Sequence, residues 1–153
     1  MGVDCWGSEA QHRDIWAIES LGSEYNIAHY DARFAKPVDS QLIRDLLSRN
    51  IPILTLEDHT IIGGFGTTVL ECAQEYKLDA SRVVRHGIPD QWVHQDSRND
   101  QLAEVGLDTT GIARMIRHAA DPESNEPFSP KTTTSHQVIT PKPMTVQSTN
   151  PAT

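Results

Sequence analysis

The chain has 153 residues, room for one domain or one domain with a tail. Its formal net charge of -8 argues against the basic face of a general nucleic-acid binder, and no basic amphipathic stretch suits an anionic membrane surface. No apolar run approaches the ~20 residues that span a bilayer, no basic region leads into a long apolar run as in a signal peptide, and two cysteines make neither a disulfide framework nor a metal pattern, so a soluble, cytoplasmic protein is expected.

In chain order, Met1 to Ser8 offers only Val3, Cys5 and Trp6 before Gly7-Ser8. A parallel strand buried on both faces needs a longer apolar run, so the first strand is expected to be clipped, as at a cut edge, or supplied by another segment. Glu9 to Leu21 carries Ile15, Ile18 and Leu21 at helical spacing, with Gly22 as a stop. Asn26 to Tyr30 is a short strand candidate. Asp39 suits an N-cap, and Leu42, Ile43, Leu46 and Leu47 give the next helix its apolar stripe. Ile51 to Leu56, apolar and partly β-branched, predicts a buried central strand that ends in Glu57-Asp58-His59.

The loop Ile61-Ile62-Gly63-Gly64-Phe65-Gly66 leads into a helix with Val69, Leu70, Ala73 and Tyr76 facing inward and Cys72 as a small core residue. Arg82 to Arg85 predicts a strand, and Gly87-Ile88-Pro89-Asp90 a turn. Asn99 to Val105 and Asp108 to Ala119 predict two closing helices, with Asp108 as N-cap of the second. Strands separated by helices predict an α/β fold, a three-layer sandwich whose mainly parallel sheet is covered on both faces. From Asp121 the text turns to Pro, Thr, Ser, Asn and Gln, so residues 1–120 are expected to form the domain and 121–153 a disordered tail.

The stretch from Glu57 to Gly66 falls at the carboxyl end of a predicted parallel strand, where open α/β sheets place ligands. Glycines there let backbone approach closely, and a following helix N-terminus attracts anions. The spacing is neither G-x-G-x-x-G nor a Walker loop, since no Lys follows the last glycine. Glu57, Gly63, Gly64 and Gly66 therefore mark a candidate loop for an interface or a ligand. Glu57, Asp58 and His59 are neighbours on a strand and alternate in direction, which speaks against one catalytic set. Asp90 and His94 would share a face if their segment were helical, but no nucleophile accompanies them. The histidines show no H-x-x-x-H or Cys-paired spacing, so no metal site is expected. Arg33 and Lys36 suit an anion, or a salt bridge to a partner subunit or sheet edge.

Read in order, four pieces resemble one family. Asp31-Ala32-Arg33-Phe34-Ala35-Lys36-Pro37-Val38-Asp39 is similar to its "N-A-R-F-x-K-P-L-D", and Leu54-Thr55-Leu56-Glu57-Asp58 with Gly63-Gly64-Phe65-Gly66 to "V-T-V-E-E…G-G-F-G". His86-Gly87-Ile88-Pro89-Asp90 resembles "L-G-I-P-D", and Leu102 to Asp108 with Gly111-Ile112 resembles "x-A-E-L-G-L-D-x-x-G-I". The family is 1-deoxy-D-xylulose-5-phosphate synthase, a thiamine-diphosphate enzyme of the transketolase type, and the likeness, from Gly7 to Ala119, is to its C-terminal domain. Departures are Glu57-Asp58 in place of paired glutamates, a more polar Val83-Val84-Arg85-His86, and the tail.

That resemblance implies, for the complete enzyme, condensation of pyruvate with glyceraldehyde 3-phosphate for isoprenoid precursor synthesis, with thiamine diphosphate and Mg²⁺ as cofactors. In the family the catalytic, cofactor and metal residues lie in the first two domains. No position here matches those motifs, so none is assigned, and this part is expected to bind no cofactor itself. The resemblance implies a structural unit that supports a homodimer and is inactive alone. Alternatives are an interaction module completing a separately encoded catalytic chain, and a small phosphorylated-metabolite binder.

Overall fold

A computed structural model describes residues 2–4 and 10–123. Strand β1 (Gly2–Asp4) is three residues long, yet it lies inside the sheet between β2 (Ala28–Tyr30) and β3 (Ile53–Thr60). Gly2 pairs with both Ala28 and Ile53, so the first strand comes from the chain's own first residues. With β4 (Val83–Ile88) the order is β2-β1-β3-β4, and every pairing is parallel. The helices are α1 (Ala10–Leu21), α2 (Ser40–Ser48), α3 (Phe65–Glu75), α4 (Arg98–Glu104) and α5 (Thr109–Ala120). From residue 124 on, the expected tail lies outside the described residues.

Alternation along β3 sorts its side chains between two layers. Leu54 and Leu56 pack with Ala17 and Leu21 of α1 and Ile112 and Ile116 of α5, while Ile53 packs with Ile43 and Leu47 of α2 and Val69 and Ala73 of α3. This is the expected three-layer α/β sandwich. A third cluster, Leu102, Val105 and Leu107 against Ile88 and Val93, seats α4 beside β4. Asp39, Ser97 and Asp108 cap their helices by accepting from Leu42, Asp100 and Gly111 backbone N–H groups, contacts worth about 1 kcal/mol each.

Three local expectations change. Strand β3 runs to Thr60 and β4 to Ile88, because Thr60 pairs with Ile88 after a register shift; Glu57–His59 and the expected turn at Gly87 lie within the strands, at the irregularity between the Leu56–His86 and Thr60–Ile88 pairs. In α1 the inward stripe is Asp14, Ala17, Ile18 and Leu21; Ile15 is turned outward and 42% exposed. A buried acid takes the position that an apolar count would skip. Tyr76 is exposed at the end of α3, where its ring lies 4.6 Å beneath the Arg44 guanidinium, a contact that a phenol can make in water.

His86 is the buried base of β4, its Nε2 2.9 Å from the Gly106 carbonyl oxygen, to which it donates. Burial pushes its pKa below the ordinary 6.5, and the carbonyl contact offsets only part of this. A base depressed on folding stabilises the fold fully above about pH 6.5 and loses that contribution as the pH falls. For a single proton the slope is bounded at about 1.4 kcal/mol per pH unit. Urea unfolding of the parent and of His86→Gln, which keeps a donor for Gly106, should diverge steadily below that pH; parallel curves would assign the acid sensitivity elsewhere.

Candidate functional site

Glu57 lies on β3 just past the apolar run, and its side chain is 1% exposed. Helix α3 begins at Phe65, and Gly64 at its N-cap position has no side chain to cap it. The Glu57 carboxylate supplies the cap from the strand: Oε2 accepts from Phe65 N at 2.6 Å and Oε1 from Gly66 N at 3.4 Å. The unsatisfied amides and partial positive charge of a helix start thus meet an internal anion. Burial raises the Glu57 pKa, and the two amides, His59 and Arg85 pull it part of the way back. His59 Nε2 stands 3.5 Å from Glu57 Oε2, as expected for residues two apart on one strand face.

The glycines explain how the loop closes over this acid. A Cβ on Gly64 would lie 1.9 Å from Glu57 Oε2 and 2.7 Å from the Thr60 carbonyl oxygen. On Gly66 it would meet Thr55 Oγ1 at 2.5 Å, and on Gly87 it would meet Glu57 Cγ at 2.7 Å. Gly63 has open space around it but a φ of +71°, so its role is conformational. Arg85 closes the loop from β4, donating to Thr67 Oγ1 at 3.0 Å and to the Ile61 carbonyl oxygen at 3.4 Å. Of the four residues singled out in the sequence, Glu57, Gly64 and Gly66 therefore form one packed unit, joined by Gly87 and Arg85, while Gly63 shapes the exposed turn that leads into it.

Asp58 turns the other way and accepts from Nη2 of both Arg13, at 3.2 Å, and Arg98. It ties α1 and α4 to the end of β3, beside a cavity of about 240 Å³ lined by Ile88, Val93, Gln101, Leu102 and Val105. Sequence reasoning missed this clasp, since its partners stand 45 and 40 residues from Asp58 and nothing local announces them. Asp90 and His94 are not on a helix; His94 Nδ1 lies 3.0 Å from Glu104 Oε1 instead. Arg33, at a φ of 53°, stands exposed with Nε 3.9 Å from Asp31, and Lys36 is exposed as well.

Among the described residues no group of three or more His, Cys, Asp or Glu is placed to hold a metal ion. No helix among them is long and apolar enough to cross a membrane.

The family model described as "Transketolase, C-terminal domain" matches residues 6–112. The chain belongs to that family. The transketolase C-terminal domain seen here is 45% identical over 99 residues to 1-deoxy-D-xylulose-5-phosphate synthases of Bacillus cereus (strain B4264) and Bacillus anthracis (strain A0248). Each match takes in 65% of this chain and 15% of the relative, so the chain spans a small part of the length of these curated relatives. Among solved structures, "Split gene transketolase, inactive beta4 tetramer" is similar with a TM-score of 0.67 and 23% identity, over 78% of this chain and 38% of that one. That likeness concerns the fold. Both the Glu57 unit and the Asp58 clasp fall inside the transketolase C-terminal domain match.

Proposed function

We propose that this domain serves a 1-deoxy-D-xylulose-5-phosphate synthase as a structural, dimer-supporting unit and makes no product by itself. The thiamine-diphosphate chemistry, the condensation of pyruvate with glyceraldehyde 3-phosphate, belongs to the remainder of such an enzyme, carried on the same polypeptide or on a partner chain. The observation that carries this reading is the filled carboxyl edge of β3. Where an open α/β sheet would receive a ligand, the Glu57 carboxylate already holds the α3 amides, and Gly64 and Gly87 pack against it. The Glu57–Gly66 unit is then a rigid platform for an interface. A phosphorylated metabolite would have to displace a buried carboxylate from those amides, which disfavours the ligand-loop alternative.

The test uses the 153-residue chain with pyruvate, glyceraldehyde 3-phosphate, thiamine diphosphate and Mg²⁺. No 1-deoxy-D-xylulose 5-phosphate should form, and titration of glyceraldehyde 3-phosphate alone should give flat calorimetric heats. Turnover by the chain unaided would refute the structural reading, and saturable heat would restore the metabolite binder.

A further inference from the structure

The cavity of about 240 Å³ beside Asp58 has aliphatic walls: Ile88 from the end of β4, Val93 from the loop that follows, and Leu102 and Val105 from α4 and its end. The Val93 wall is held in place by its neighbour. The His94 carbonyl oxygen accepts from Gln101 Nε2 at 2.9 Å, and His94 Nδ1 lies 3.0 Å from Glu104 Oε1. Asp58 and Arg98 supply the charged part of the lining. An apolar hollow with a few polar groups converging on it is the usual form of a small-molecule site.

The charges at this hollow do not balance. Asp58 Oδ2 accepts from Nη2 of both Arg13 and Arg98, so two cations share one anion. Arg13 is the more deeply held, its side chain 15% exposed against 57% for Arg98. Its Nε is buried with no hydrogen-bond partner among the described residues. A guanidinium meets a carboxylate best through two parallel N–H groups, and a buried donor left unmade costs about 1–3 kcal/mol. The fork of Arg13 on Asp58 is half made while Arg98 holds the same oxygen. We infer that this cavity binds a small aliphatic monocarboxylate, with its head on Arg98 and its hydrocarbon body among the aliphatic walls. Binding draws exposed Arg98 away from Asp58 and leaves Asp58 to accept from both Nε and Nη2 of Arg13, so no charge is stranded. A cavity of roughly 150 Å³ takes a benzene-sized body, which sets this ligand at about five to eight carbons. One surplus positive charge matches one carboxylate, whereas a phosphate monoester near -2 exceeds it. Glyceraldehyde 3-phosphate, polar throughout, suits neither the walls nor that charge. The site stands apart from the Glu57 unit and does not depend on the dimer-supporting role.

Protein NMR of the full chain with labelled methyl groups tests this, with 4-methylpentanoate as the probe. The methyl signals of Ile88, Val93, Leu102 and Val105 should shift saturably, with a Kd on the order of 1 mM for a ligand of this size. The neutral 4-methylpentanamide should bind about tenfold more weakly, since it forfeits a charged hydrogen bond. Arg98→Gln should erase that preference while moving the thermal midpoint by no more than a few degrees, as for an exposed ion pair. Val93→Phe, which fills the hollow from its half-buried wall, should abolish the shifts in a chain that stays folded. Acid and amide binding equally, a preference for the acid that survives Arg98→Gln, or a probe that moves none of those methyl signals overturns the site. So does binding that survives Val93→Phe, because the probe then sits outside the hollow. Tighter binding of 3-methylbutyl phosphate than of the acid overturns the monocarboxylate assignment.

Discussion

Gly64→Ala is expected to lower the unfolding free energy by about 2–4 kcal/mol, read as a shift of the urea midpoint at constant slope. The new Cβ would sit 1.9 Å from Glu57 Oε2 and 2.7 Å from the Thr60 carbonyl oxygen. Neither neighbour can yield cheaply. Thr60 O is backbone at the end of β3, and the Glu57 carboxylate is fixed by the Phe65 and Gly66 amides. Overpacking alone costs about 1–3 kcal/mol, and loss of the cap adds roughly 1 more. Gly63→Ala supplies the internal comparison. Its neighbourhood is open, so only the φ of +71° resists, at about 1–2 kcal/mol. If the two substitutions cost the same, the loop is not pinned on Glu57.

The fold was legible wherever a local pattern was enough to decide it. The stripe Ile43, Leu46 and Leu47 and the caps Asp39 and Asp108 read correctly, because helix periodicity and capping are properties of a few adjacent residues. The apolar run Ile51–Leu56 announced the buried strand, which begins at Ile53, by the same logic. What escaped depended on partners distant in sequence. The thin apolar text before Gly7 foretold a clipped first strand, and β1 has three residues; its place inside the sheet, paired by β2 and β3 on both sides, is what no local signal gave. The true end of β3 is set by Thr60 meeting Ile88, and the stripe of α1 is obscured by Asp14, a buried acid with His29 Nε2 3.7 Å from its Oδ2.

The candidate site was half visible. Glycines after a strand marked the loop, and the family motifs fixed its register. That Glu57 faces the helix start while Asp58 faces two arginines follows from strand alternation, but which face holds which partner is a tertiary fact. Gly87 and Arg85 looked like parts of a turn and a strand end; their common place on β4 makes them walls of the same unit.

Glu57 itself separates a structural cap from a functional charge. Glu57→Ala removes the acceptor from two buried amides and leaves a void among glycines that have no side chains to fill it, an expected loss of about 3–4 kcal/mol. Glu57→Gln keeps the shape. Its carbonyl oxygen can take the 2.6 Å bond from Phe65 N, and its NH₂ group then faces Gly66 N across the long 3.4 Å contact, where little is lost. The cost near neutral pH should therefore stay within about 1 kcal/mol, because the amide also avoids burying a charge. Since the folded pKa of Glu57 is raised above 4.5, the acid favours the fold most when protonated. Its contribution is whole below about pH 4.5 and declines as the pH rises to the raised folded value, then stays constant. The parent's stability minus that of Glu57→Gln should fall across that window, opposite in sign to the His86 effect. Equal losses for Gln and Ala would show that the negative charge itself holds α3 in place. A neutral amide that holds α3 nearly as well would make the carboxyl edge of β3 a matter of shape, which is what a platform for docking requires and a reactive centre does not.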